Sequence, residues 1–166
     1  MLAEFLQFLF SGITVGSTYA LAALGFTLIY NSSHVINFAQ GEFIMLGGML
    51  AVYFTQAGLP LPVALLCAIA VPAGVGLVLE KVAIEPVKGA EPVTLIIITI
   101  GASLVLRGLV QIWLGKGTFS LAPFSGDEPI RVLGATLMPQ SLWVLGVTAV
   151  VVCALWYFFT LSLIHI

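Results

Sequence analysis

Glu42 is the first place where this chain could keep chemistry. It closes a polar run, Asn31-Ser32-Ser33-His34-Val35-Ile36-Asn37-Phe38-Ala39-Gln40-Gly41-Glu42, inside a stretch from Phe5 to Gly41 of 37 residues with no Asp, Glu, Lys or Arg. A carboxylate in or near a bilayer costs about 2.5–3.5 kcal/mol on insertion scales, so it sits at an interface or serves a function. Two readings follow. In one, Glu42 opens a second helix, where the helix dipole favours negative charge, and with Asn37 and Gln40 it lines a cavity or fixes a broken backbone. In the other it is an interfacial group that only helps the helix start. Gly41 beside it permits backbone shapes that a Cβ forbids. Arg107 is the second candidate, in the body of a later apolar segment with Thr99 two turns before it. It either snorkels or makes a structural pair, with one of the loop acids as a possible partner, or it meets a substrate.

Other chemistry is excluded. There is no nucleophile with a base beside it and no cluster of metal ligands, so the chain is read as a non-enzyme without a cofactor or metal. Gly115-Lys116-Gly117-Thr118 lacks the spacing of a phosphate loop, so any ATP hydrolysis belongs to a partner. Asn31-Ser32-Ser33 fits a glycosylation acceptor only as a cheap match, and His34 alone makes no ligand site. Cys67 and Cys153 lie in apolar runs and are expected to be small core residues. A net charge of −2 gives no electrostatic footprint for nucleic acid. With 61% hydrophobic and 7% charged residues, against about 25% charged in an average protein, an ordinary soluble domain is excluded.

The elements that must position these residues are membrane helices. Five apolar segments are expected: Phe5 to about Tyr30, Phe43 to about Ala57, Val63–Leu79, Val93–Leu114, and Ser141 to about Thr160. The runs are continuous, not alternating, which favours helices over barrel strands. The fold class is all-α, a polytopic transmembrane bundle of about five spans with a broken or re-entrant segment near 31–42. Irregular polar backbone at membrane depth survives only where protein buries it or water lines it. Interrupted apolar segments point to a transporter's substrate path. The first segment lacks the positive start of a signal peptide and is expected to be retained. Residues 80–92 and 115–140 are expected as connections, Pro72 as a kink, and Trp113, Trp143 and Trp156 as interface anchors. Gly12, Gly16 and Ala20 form a small-residue stripe on which another helix could pack. Lys81 and Lys88 place 80–92 in the cytoplasm, which puts 31–42 on that side and the N-terminus outside.

Several phrases together resemble one family. Asn37-Phe38-Ala39-Gln40-Gly41-Glu42, preceded by Gly16-Ser17-Thr18-Tyr19-Ala20-Leu21, is similar to the permease subunits of branched-chain amino acid ABC importers. So are Leu79-Glu80-Lys81-Val82-Ala83 with Pro86-Val87-Lys88, and Thr99-Ile100-Gly101-Ala102-Ser103-Leu104-Val105-Leu106-Arg107. The likeness runs in order over nearly all of Phe5 to Thr160 and is closest to the shorter, LivH-type permease of the pair. It implies a multi-pass protein of a bacterial inner membrane, surrounded by lipid. The implied partners are a second permease subunit in a heterodimer, two ATP-binding subunits and a periplasmic substrate-binding protein. On this view Asn37, Gln40, Gly41, Glu42, Thr99 and Arg107 are the expected substrate path. The chain departs from the family at Gln40, where His is usual, and at Glu85, where Arg is frequent. Family members also continue for roughly another hundred residues. Residues 1–160 are therefore expected to be the N-terminal part of a permease domain. Leu161-Ser162-Leu163-Ile164-His165-Ile166 matches the translation of a sequencing adaptor and is expected to be a non-native tail. Two rivals stand beside this reading. An ion-coupled transporter or channel subunit would need further intramembrane carboxylates, and a non-transporting scaffold would tolerate loss of Glu42 and Asn37.

Overall fold

The computed structural model describes residues 1–164 apart from Lys88, Phe124, Asp127 and Leu133, with backbone only at Val132 and over 162–164. His165 and Ile166 of the expected tail, and Lys88 and Asp127 of the expected connections, lie outside the described residues. In order, the elements are α1 (Leu2–Ser33), α2 (Gln40–Gln56), α3 (Leu61–Leu79), α4 (Pro92–Leu114), the strands β1 (Ile130–Val132) and β2 (Ala135–Leu137), and α5 (Pro139–Ile164). They fall into two compact units, Met1–Leu24 with Ala122–Ile166, and Gly25–Leu121.

The helices form where apolar sequence runs without alternation, and local chemistry marks their ends. Pro92 opens α4, where a missing N–H costs nothing. α2 stops at Gly58, whose φ of +89° only glycine adopts freely. There the Gly58 N–H donates to the Thr55 carbonyl and the Leu59 N–H to the Phe54 carbonyl, a Schellman closure of the last turn. Hydroxyls inside the helices turn inward on their own backbone. Thr14, Ser17, Thr55, Thr148 and Thr160 each donate to the carbonyl four residues earlier at 2.7–2.8 Å. In hydrocarbon that satisfies a donor which nothing else would meet.

Among the described residues four helices are long and apolar enough to cross a membrane: Leu2–Ser33, Leu61–Val87, Pro92–Leu114 and Pro139–Leu161. α2 is the exception among the five expected spans. Its 17 residues reach about 25 Å, short of the roughly 30 Å hydrocarbon core. The fold is all-α, a set of apolar helices with a break between α1 and α2, and three of its sequence boundaries shift. α1 extends to Ser33, so the break narrows to 34–39. Residues 80–87, expected as part of a polar connection, continue α3 as a π-helical turn (Glu80–Ile84) and a 3-10 turn (Glu85–Val87). The expected connection at 115–140 contains the antiparallel hairpin β1–β2, in which Arg131 pairs with Thr136 and Gly134 adopts φ +87°.

In the first unit, that hairpin docks on the start of α1. Gln7 Oε1 accepts from the Thr136 N–H at 2.7 Å and from its hydroxyl at 2.9 Å. In the second unit, small residues let α2 and α3 approach closely. A Cβ on Gly47 would stand 3.4 Å from the Ala68 carbonyl oxygen, and one on Gly76 would stand 3.8 Å from the Phe43 ring. Buried Leu46, Ala64, Ala68 and Val110 complete this packing. The cysteines correct the core expectation: Cys67 is half-buried and Cys153 exposed. A membrane helix needs no aqueous core to make an apolar face favourable, so small apolar residues lie on outward faces too.

Candidate functional site

The break between α1 and α2 is held from both sides. α1 ends at His34, the one non-glycine residue among those described with a positive φ (54°), and its N–H donates to the Tyr30 carbonyl at 2.7 Å. A left-handed residue is a common way to stop a helix, and here it turns the chain away from the α1 axis. Asn37 then folds its side chain back: Oδ1 accepts from the Ala39 N–H at 2.9 Å, an Asx turn that leads into α2. Ala39 is fully buried.

Thr99 staples the break to α4. Its hydroxyl oxygen accepts from the Phe38 N–H at 3.3 Å and donates to the Ile96 carbonyl at 2.9 Å, with the Ile36 carbonyl 3.4 Å away. Thr99 is fully buried. It lies seven residues into α4, so the break sits about 10 Å along that helix from its first residue. Interrupted backbone at such depth needs internal partners, and Asn37 and Thr99 supply them.

Glu42, in the first turn of α2, is 5% exposed. Its Oε1 accepts from Arg107 Nη2 at 2.5 Å, while the arginine side chain remains 57% exposed. Among the described residues the partner of Arg107 is therefore Glu42, an acid of α2, and the arginine does not snorkel freely. A buried carboxylate requires such a pair, because an uncompensated charge in low dielectric is far costlier than a matched one.

A cavity of about 850 Å³ borders the break. Ile29, Val35, Ile44, Leu79 and Leu95 give it apolar walls, and Ser32, Ser33, Asn37, Gln40 and Glu80 supply polar groups. The π-helical turn that begins at Glu80 forms part of the rim through Ile84. Gln40 fits against α1 because residue 25 is glycine; a Cβ there would stand 3.0 Å from Gln40 Nε2.

Of the six expected path residues, Asn37 and Gln40 face the cavity. Gly41 is exposed, Thr99 is a buried staple, and Glu42 and Arg107 form an ion pair away from the cavity lining. Sequence reasoning missed Glu80, Ser32 and Ser33 as lining groups. A signal existed for Glu80, the first charge after a 37-residue stretch, 43–79, with none. Gly12, Gly16 and Ala20 are exposed on α1, with open space beside both glycines. Among the described residues no three His, Cys, Asp or Glu side chains gather to hold a metal.

Comparison with known proteins gives a consistent picture. Residues 8–164 match the family model described as the permease component of branched-chain amino acid transport systems. The chain is 32% identical over 126 residues to LivH, the high-affinity branched-chain amino acid transport system permease protein of Salmonella typhimurium, covering 70% of this chain and 41% of that protein. The Escherichia coli K12 LivH gives the same figures. The chain is 38% identical over 118 residues to the high-affinity branched-chain amino acid transport system permease protein BraD of Pseudomonas aeruginosa, covering 66% of this chain and 38% of BraD. The chain thus spans about two fifths of the length of these relatives. No solved structure matches it.

Proposed function

Since this chain belongs to the permease components of branched-chain amino acid transport systems, we propose that it forms part of the translocation pathway of an ATP-driven importer of branched-chain or related amino acids. The observation that carries this is the broken α1–α2 junction, held at membrane depth and opening on a cavity with apolar walls and a few polar groups. An aliphatic zwitterion needs that combination: polar groups for its charged end and apolar surface for its side chain. Asn37 and Gln40 line the path directly. Gly41, Glu42 and Thr99 shape and support it, and Arg107 stands on the path outside the cavity lining.

The proposed assembly follows the same premise. The chain pairs with a second permease subunit, draws energy from two ATP-binding subunits and receives solute from a periplasmic binding protein. It lies in the bacterial inner membrane as a multi-pass protein. The small-residue stripe at Gly12, Gly16 and Ala20 is proposed as a seat for a further helix, since it is exposed and free of steric obstruction.

The test is reconstitution of the full-length permease with its partner subunits in proteoliposomes, followed by uptake of labelled L-leucine. Uptake that requires ATP and the binding protein is expected. Uptake driven by a proton or sodium gradient with no ATP would replace this reading with a secondary transporter.

A further inference from the structure

The side of Arg107 that Glu42 leaves open carries a consequence of its own. Arg107 stands seven residues before the end of α4, about 10 Å in from Leu114. An arginine at that depth usually escapes by snorkelling to the nearer interface. Here it cannot. Phe38 meets α4 at Thr99, eight residues before Arg107, and Glu42 follows Phe38 by only four. The carboxylate that grips Arg107 therefore lies on its N-terminal side, toward the middle of the helix. Helical side chains also lean toward the N-terminus. The guanidinium is drawn away from the nearer headgroups, beyond easy reach of a lipid phosphate.

Glu42 engages Nη2, and among the described residues it is the partner the structure gives to Arg107. The side chain is 57% exposed while Glu42 is 6% exposed. The remaining N–H groups thus face outward from this chain at membrane depth. Hydrocarbon would leave them unsatisfied, so this edge of α4 calls for a polar partner: water, a polar solute or further protein. Ser103, one turn earlier, lies on the same edge. The buried stripe of α4, Thr99 to Val110, runs alongside it.

We propose that Arg107, tethered by Glu42, is a specificity-determining residue that recognises the carboxylate of the transported amino acid. The inference rests on the transport reading above and adds to it the group that reads the substrate's negative end. Guanidinium geometry suits a carboxylate, and an arginine already held by one anion loses little freedom on meeting a second. Glu42 is then a positioning residue: it neutralises part of the charge and aims the rest.

The experiment uses the full-length permease complex in nanodiscs, without the binding protein, which would impose its own selectivity. Saturation-transfer NMR reads the weak binding of L-leucine and of L-leucinamide, which lacks the carboxylate. Leucine is expected to bind more tightly than leucinamide. Arg107→Gln should weaken leucine about tenfold or more and leave leucinamide unchanged, removing the difference. Arg107→Lys should restore part of it. If Arg107→Gln aggregates, the double variant Glu42→Gln/Arg107→Gln, which leaves no charge unpaired, takes its place. The proposal is overturned if the wild-type complex binds both ligands equally or neither, or if the substitution weakens both alike or leaves leucine binding intact. ATP-dependent leucine uptake by the same wild-type preparation tests the transport reading separately.

Discussion

Two interruptions of helix border one cavity, and they are built differently. At 34–39 the helix stops: a left-handed His34 ends it, and side chains, Asn37 within the break and Thr99 from α4, replace lost backbone partners. At 80–84 the helix continues with one turn widened to π geometry, so the backbone remains its own partner. A full break needs polar side chains at fixed places, whereas a π turn needs only a local excess of one residue. The first should therefore be intolerant of substitution in its supporting groups, and the second tolerant.

Among substitutions, as distinct from deletions, the largest effect is expected at Glu42 and the smallest at Glu80. Glu42→Ala removes the anion that holds Arg107 and frees the first turn of α2 from α4. The full-length variant should lose most of its monodisperse fraction in detergent, and uptake should fall by tenfold or more. Glu42→Asp, which keeps the charge on a shorter stem, should recover part of both. Size-exclusion profiles with matched uptake assays check this. An alanine variant that behaves as wild type would show that the break is not anchored through this pair.

Thr99→Val comes next. The shape is nearly conserved, yet the Phe38 N–H loses its acceptor, the hydroxyl of the fully buried Thr99, in a part-buried bond. An orphaned buried donor costs about 1–3 kcal/mol, which thermal unfolding in detergent would register as a clear loss of stability. Asn37→Ala should cost less, about 1 kcal/mol, because it removes one local bond beside the cavity. Asn37→Asp retains the acceptor and should keep the turn. Equal stability of the alanine and aspartate variants would mean that the Asx turn does not hold the break.

The same contrast explains what was legible in the sequence. The break announced itself, because Asn, Ser, His and Gln gathered where hydrocarbon should be, and polarity at that depth requires an explanation. The helices around it were equally plain from their continuous apolar runs. The π turn was hidden. Glu80, Lys81 and Glu85 look like the start of a loop, but polar side chains do not end a helix when no glycine or proline forces it to stop, and Pro86 enters only after the turn is complete. The pair Glu42–Arg107 was half legible. Each residue stood out alone, but a contact across 65 positions depends on how α2 lies along α4, which neither segment encodes by itself. Thr99 was noticed only for its place near Arg107. Its role as a staple comes from facing Ile36 and Phe38, a tertiary fact.

The smallest effect should be at the π turn itself, and it separates fold from function there. Glu80 lines the cavity but does not hold the helix open, since that turn is closed by backbone. Glu80→Gln keeps the size of the side chain, removes its charge and exchanges one acceptor oxygen for an N–H donor group. Stability should fall less than in Thr99→Val, because the amide keeps a hydrogen-bonding oxygen in the side chain, whereas valine keeps none. Uptake should change by a few-fold at most, through the altered field in the cavity. Deleting Ala83 is the sharper probe of the same turn. It removes the extra residue and lets an ordinary α-helix run through, rotating everything beyond by about 100°. The protein should still fold into membrane helices, because no buried partner is lost, yet the cavity wall at Ile84 and Glu80 would no longer align and uptake should disappear. If the deletion transports normally, the π turn is incidental. If Glu80→Gln destabilises the protein as much as Thr99→Val, the distinction between a side-chain-held break and a backbone-held turn does not describe this molecule.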